Sequence, residues 1–322
     1  MAANPAKDKK IGIVGSGLIG RSWCMLFASV GYQVSVYDSD PRQVSSALAD
    51  IQQQLQELSA SGLLRGSLTA EEQCQRVSAA KDMEDCVQGA KFVQECVPEV
   101  LDIKKEIFAK LDDLAGDNTI LSSSTSSMVP SLFTRGIKKR AHAIVCHPTN
   151  PPYYCPLVEV VPSPWTDPEV LEQTVALMRE IGQSPVIIKK EIDGFALNRI
   201  QYAIMGECWR LINDGVISVE DMDKVMSDGL GMRYAFLGPL ETAYLNADGF
   251  HVYAERYGEM FLRIQKSFGE PIPMSGSSLD RIHNELNKVT PVENISSRRQ
   301  WRDRRLAALA KLKSDMDTKD SK

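Results

Sequence analysis

Residues 10–38 read KIGIVGSGLIGRSWCMLFASVGYQVSVYD, a short apolar run, a glycine-rich turn, a helix-periodic segment, Gly31 and a second β-branched run that ends on an acid. That pattern predicts strand, turn, helix and strand in succession. Asp40 and Pro41 then suit an N-cap with proline at the first helical position. Val44, Ala47, Leu48, Ile51, Leu55 and Leu58 recur at helical spacing up to Gly62, while the opposite face is mostly glutamine and serine. From Gln43 to Leu64 there is no lysine or arginine.

Further along, the spacing predicts a short helix around Asp82 to Gly89, a strand from Phe92 to Cys96, and a helix on Ile103, Ile107, Leu111 and Leu114 that stops at Gly116. Ile120 to Ser123, Ala141 to Cys146 and Leu157 to Val161 read as strands, Asp167 to Ile181 as a helix closed by Gly182, and Pro185 to Lys190 as the last strand. From Asp193 onward long helical periods replace the alternation, ending in a charged helix from Ser297 to Lys313 whose charges face solvent. The expected class is α/β: a Rossmann-type doubly wound sheet in residues 1–192, followed by an all-α domain in residues 193–322. No repeat and no low-complexity linker interrupts it.

A length of 322 residues suits a nucleotide domain plus a second domain. The net charge of −5 leaves no broad basic field for nucleic acid. Seven cysteines without a C-x-x-C pair form no complete disulfide framework, which fits a reducing cytosol. The four histidines show no metal-ligand spacing, so no metal is expected. MAANPAKDKK leaves no room for a signal peptide before the first strand. No apolar run approaches the roughly 20 residues that a bilayer requires. A soluble, cytoplasmic protein without a membrane partner is expected.

Gly15-Ser16-Gly17-Leu18-Ile19-Gly20 sits where a dinucleotide fingerprint must sit, between a strand and a helix. Gly15 permits the tight turn, Gly17 lets the backbone approach a pyrophosphate, and Gly20 lets the helix lie against the sheet; Leu18 and Ile19 complete the phosphate turn. The free N–H groups of the helix then hold the phosphates. Asp38, at the end of the second strand, accepts hydrogen bonds from the adenosine ribose hydroxyls and repels a 2′-phosphate, so the cofactor is NAD rather than NADP.

Pro98 disfavours helix at Val97 and leaves Glu99 in the loop at the carboxyl end of its strand, where open α/β sheets bind ligands. The six hydroxyl residues Ser122 to Ser127 end another strand. Ser126 is either a helix N-cap before Pro130 or one of a set of donors facing a substrate oxygen. His147 follows a third strand, and Glu159 is the one acid in Leu157-Val158-Glu159-Val160-Val161. A carboxylate buried in such a run needs a partner, and His147, twelve residues earlier, is the economical one.

Taken together, the fingerprint, Thr125-Ser126-Ser127, His147 with Asn150-Pro151, the Glu159 strand and Gly194-Phe195 to Asn198-Arg199 resemble the 3-hydroxyacyl-CoA dehydrogenase family over nearly the whole chain. The resemblance implies that His147 takes the hydroxyl proton while hydride leaves for nicotinamide, with Glu159 orienting and charging the imidazole. It also implies that Ser126 and Asn198 bind the reacting oxygen, that Glu99 and Lys104 contact the cofactor, and that the helical domain forms a homodimer, for which Ile200, Ile204 and Leu211 recur at helical spacing.

Two departures bear on the substrate. Acyl-CoA enzymes of this type carry lysines on the second helix and aromatics after the histidine, whereas this chain has no cation from Gln43 to Leu64 and reads His147-Pro148-Thr149-Asn150-Pro151. Tyr153, Tyr154 and the block GLGMRYAFLGPL at residues 229–240 are instead similar to a branch of the family acting on L-gulonate. There Arg233 is a candidate for a substrate carboxylate, which a guanidinium holds bidentately; a helix-end ion pair is its other reading. The expected function is therefore NAD-dependent oxidation of the 3-hydroxyl of a small hydroxy acid. The alternatives are a short-chain 3-hydroxyacyl-CoA dehydrogenase and a non-catalytic structural protein that binds NAD.

Overall fold

The structure, a computed structural model, describes residues 9–320. Most of the N-terminal stretch expected to hold no signal peptide, residues 1–8, lies outside the described residues. The first part of the chain runs β1 (Lys10–Val14), α1 (Leu18–Ser29), β2 (Gln33–Tyr37), α2 (Pro41–Ala60), α3 (Ala70–Cys74), β3 (Val77–Ala79), α4 (Met83–Val87) and β4 (Ala90–Glu95). It continues as α5 (Leu101–Leu114), β5 (Ile120–Ser123), α6 (Ser131–Thr134), β6 (Ala143–Pro148), β7 (Leu157–Pro162), α7 (Pro168–Glu180) and β8 (Ser184–Ile187). One eight-stranded sheet results, in the order β3-β2-β1-β4-β5-β6-β7-β8. Among the described residues, only the β6–β7 pairing is antiparallel. Strand order reverses between β1 and β4, the crevice where doubly wound sheets bind nucleotides.

The central strands β1, β2 and β4 to β7 are buried on both faces, their alternate residues serving two cores, while the edge strand β8 leaves Val186 40% and Ile187 45% exposed. Phe92, Ile120, Ile144 and Val160 pack with Trp23, Phe27, Tyr32, Ile51 and Leu55 on one face. Their neighbours Val93, Leu121, Val145 and Val161 pack with Phe108, Leu111, Phe133 and Phe195 on the other.

Local chemistry sets the element ends. Asp40 accepts from Arg42 N at the start of α2, with Pro41 in the first turn. Thr69 and Glu72 form a reciprocal capping box at α3. The sequence pattern predicted neither α3 nor β3, because a three-residue strand is too short for an alternation to register; Val77–Ala79 is held by pairing with Val34–Val36. Strand β6 lies two residues later than its pattern predicted, since Arg140–His142 form a 3-10 turn, and it carries His147 inside the ladder opposite Glu159.

The chain beyond β8 is helical: α8 (Leu197–Asn213), α9 (Val219–Lys224), a π-helical turn at Val225–Leu230, α10 (Gly231–Tyr234), α11 (Pro239–Leu245), α12 (Phe250–Lys266), α13 (Ser277–Val289) and α14 (Ile295–Asp320). The chain divides into two compact units. The first extends through Arg199 and includes Asp303–Leu312; the second is Ile200–Arg302 together with the chain from Lys313. Helix α8 thus begins within the first unit. The second unit has a small core of Ile212, Val219 and Met222. No helix among the described residues is long and apolar enough to cross a membrane.

A Cβ on Gly20 would lie 2.0 Å from the Gly15 carbonyl oxygen, a backbone atom that cannot move without opening the turn. Gly20→Ala is expected to lower unfolding free energy by about 1–3 kcal/mol in urea denaturation; an unchanged midpoint would show that the helix does not rest on the turn in this way.

Candidate active site

The cofactor end is built where β1 meets α1. Gly15 has φ of +104° and its Cβ would stand 2.6 Å from Cys96 O, so no other residue fits the turn. A Cβ on Gly17 would meet nothing within 4 Å, which leaves the backbone open to an approaching group. No side chain caps α1 and no acid lies in its first turn, so its N–H groups and dipole are available to an anion. Exposed Leu18 and half-buried Ile19, which packs on the core, complete this turn. The Asp38 carboxylate is fixed in turn: Oδ2 accepts from both Ser16 N and Ser16 Oγ at 2.8 Å, and Oδ1 from Asp40 N at 3.2 Å. An open phosphate cradle followed by a held acid fits NAD.

A buried histidine–carboxylate pair is built across β6 and β7. His147 Nδ1 lies 2.8 Å from Glu159 Oε2, with His147 6% and Glu159 1% exposed. The other oxygen, Oε1, accepts from Ala196 N at 2.8 Å and Leu197 N at 2.9 Å. Gly194 and Phe195 make that possible, because both adopt left-handed backbone, with φ of +72° and +50°. Such a conformation costs on the order of 1 kcal/mol or more at a non-glycine residue. Here it aims two successive N–H groups at one carboxylate. Phe195, fully buried, also packs its ring 5.6 Å from the imidazole. Burial alone would raise the Glu159 carboxyl, yet the hydrogen bonds from His147, Leu197 N and Ala196 N hold it below the ordinary value. A carboxyl depressed on folding adds stability above the unfolded carboxylate range and loses it as pH falls through the folded value.

A third group of residues joins these ends. Glu99 Oε1 accepts from Thr125 Oγ1 at 2.5 Å, Ser126 N at 3.0 Å and Ser127 N at 3.2 Å. Ser126 is therefore not a helix N-cap: α6 starts at Ser131 and its N-cap position is Pro130. Asn198 Nδ2 donates to Ser126 O at 2.6 Å, and Gly194 N to Ser127 O at 3.2 Å. Ser126, Asn198, His147 and Glu159 are thus connected within the first unit. Lys104, 1% exposed, has its ammonium 3.1 Å from Glu95 Oε1 and 3.2 Å from Glu99 Oε2. Sequence reasoning missed Glu95; its signal was the acid closing the apolar strand Ala90–Glu95. Arg233 lies exposed on α10 in the second unit, and among the described residues its guanidinium has no hydrogen-bond or ion-pair partner. No metal-binding cluster of His, Cys, Asp or Glu occurs among the described residues.

Residues 10–192 match the NAD-binding domain of 3-hydroxyacyl-CoA dehydrogenase, and residues 194–271 match its C-terminal domain. The chain belongs to the 3-hydroxyacyl-CoA dehydrogenase family. Lambda-crystallin of Oryctolagus cuniculus is 51% identical over 316 residues, covering 98% of this chain and 99% of that protein. L-carnitine dehydrogenase of Oceanobacillus iheyensis is 31% identical over 237 residues, 74% of this chain and 76% of that one. Among solved structures, that of 5-formyl-3-hydroxy-2-methylpyridine 4-carboxylic acid 5-dehydrogenase, an NAD+-dependent dismutase, superposes with a TM-score of 0.78 at 28% identity, over 95% of this chain and 98% of that one. Membership carries NAD as the cofactor, matching the phosphate cradle and Asp38.

Because Ser16 and Asp40 lock Asp38, cofactor choice is expected to rest on that carboxylate. Replacing Asp38 by Ser together with Ser39→Arg should raise the NADP-to-NAD ratio of kcat/KM by roughly tenfold to a hundredfold. Equal use of NAD and NADP by the unaltered protein would contradict the assignment.

Proposed function

We propose that this family member oxidises the 3-hydroxyl of a small free hydroxy acid, L-gulonate to 3-dehydro-L-gulonate, with His147 and Glu159 as its acid–base pair. The observation that carries the chemistry is the buried His147–Glu159 contact beside Ser126 and Asn198. Glu159 engages Nδ1, which leaves Nε2 as the base for the substrate hydroxyl. Proton uptake there forms an imidazolium beside an ionised carboxylate, an arrangement far better than an imidazolium buried alone. The Asn198 amide has a second proton to give to the oxygen as it becomes a carbonyl, and the Ser126 hydroxyl supplies another donor on turning from Glu99 Oε1, 3.4 Å away. NAD supplies the hydride acceptor.

The substrate class rests on charge. A CoA thioester brings several phosphates that call for cations at the pocket mouth, whereas a free hydroxy acid brings one carboxylate that one arginine can satisfy. Helix α2 has Arg42 in its first turn, paired with Asp40, and no cation after it. Arg233 is unpartnered among the described residues and follows a π-helical turn, a feature frequent at functional sites. L-carnitine, on which the named relative acts, is likewise a free 3-hydroxy acid. The same proposal places the protein in the cytoplasm, in keeping with seven free cysteines, and makes it a homodimer through the helical unit, where Ile200 is 60% and Ile204 37% exposed, while Leu211 packs instead against the Ile212, Val219 and Met222 core.

NADH formation should be fastest by kcat/KM on L-gulonate in a panel with 3-hydroxybutyrate and 3-hydroxybutyryl-CoA. Arg233→Met should raise KM for L-gulonate roughly tenfold to a hundredfold with NAD affinity unchanged. A better kcat/KM on the CoA thioester would favour the acyl-CoA alternative, and no turnover of any of the three would favour the structural role that a crystallin name suggests.

A further inference from the structure

Glu95, at the end of β4, is fully buried and takes no part in the acid–base chemistry. Its Oε1 accepts from Val97 N at 2.6 Å and Lys104 Nζ at 3.1 Å; its Oε2 accepts from Ser123 Oγ at 2.5 Å and Lys104 Nζ at 3.2 Å. Burial holds this carboxyl above its ordinary value, with Lys104, Ser123 and Val97 N acting against that rise. Both oxygens face donors throughout, so the ionised form is the one that satisfies the site.

Lys104 meets a second carboxylate, Glu99, at 3.2 Å. Two carboxylates and one ammonium carry a net charge of −1. Since Glu95 is enclosed and Glu99 has 36% of its side chain exposed, the uncompensated charge faces outward at Glu99. Glu99 holds the Thr125–Ser127 turn, and that turn is tied through Asn198 and Gly194 to the segment gripping Glu159. The excess negative charge therefore stands at the turn linked to His147 and Glu159, the place to which the proposed function assigns hydride exchange. An oxidised nicotinamide ring is a cation and a reduced one is neutral.

We propose that Glu95 is a positioning residue which, by taking up the charge of Lys104, leaves Glu99 negative and makes the site favour oxidised over reduced nicotinamide cofactor. This rests on the assignment of NAD as the cofactor. Lys104 then serves as a charge divider between two carboxylates, and Glu95 sets how much of its charge is left for Glu99.

The test is the dissociation constant of NAD+ and of NADH, each measured by titration calorimetry on the full chain without substrate. Glu95→Gln keeps shape and removes charge, and is expected to weaken NAD+ relative to NADH by about tenfold. Glu99→Gln should shift the ratio in the same direction, and Glu95→Asp should keep the original ratio even where both affinities fall. An unchanged ratio in a folded Glu95→Gln protein, or equal weakening of both cofactors, would overturn the proposal. If Glu95→Gln does not fold, the ratio in Glu99→Gln decides between the same outcomes. Failure of the unaltered protein to bind either form would instead overturn the cofactor assignment.

Discussion

Glu159 is the constraint on which the site depends. A carboxylate in the middle of an apolar strand is tolerated only with partners, and breaking a buried pair costs about 3–5 kcal/mol. The partners here come from three places: the His147 imidazole on β6, and the Ala196 and Leu197 N–H groups that open α8. One side chain thereby ties the His147 imidazole on β6 to the chain where it leaves the sheet for the helices. The left-handed Phe195 is the local cost of that arrangement, and its buried ring packs beside the His147 imidazole.

The two chemical ends are joined by topology. The parallel strands β1, β4 and β5 deliver the phosphate turn, Glu95 and the hydroxyl turn to the same edge of the sheet, as their order requires. Strand β7 runs the other way, which lets Glu159 stand directly opposite His147 in the ladder. Glu99 and Asn198 both engage one turn, Thr125–Ser127, which links the Glu95–Lys104 pair to the segment holding Glu159.

Much of this was legible in the sequence because the signals were strong and local. The glycine turn needs its spacing to fold at all, and an acid such as Glu159 between valines demands a nearby partner. Ser126 was ambiguous, since a hydroxyl before Pro130 serves a cap and a site equally well; the start of α6 at Ser131, with Pro130 at its N-cap position, removes the cap. Glu95 was missed because an acid at a strand end reads as a solvent-facing terminus, and its burial comes from Lys104 one helix turn into α5. Strand β3 was missed because its existence depends on β2 rather than on its own pattern.

The most direct measurement of the central claim is a double-mutant cycle in turnover on His147→Gln and Glu159→Gln, with folding checked by circular dichroism and NAD affinity by calorimetry. Each single change should lower kcat by roughly two to four orders of magnitude with NAD binding retained. Because both residues serve one proton transfer, the double change should cost far less than the product of the single losses. Near-normal turnover in folded His147→Gln protein, or losses that multiply, would contradict the account.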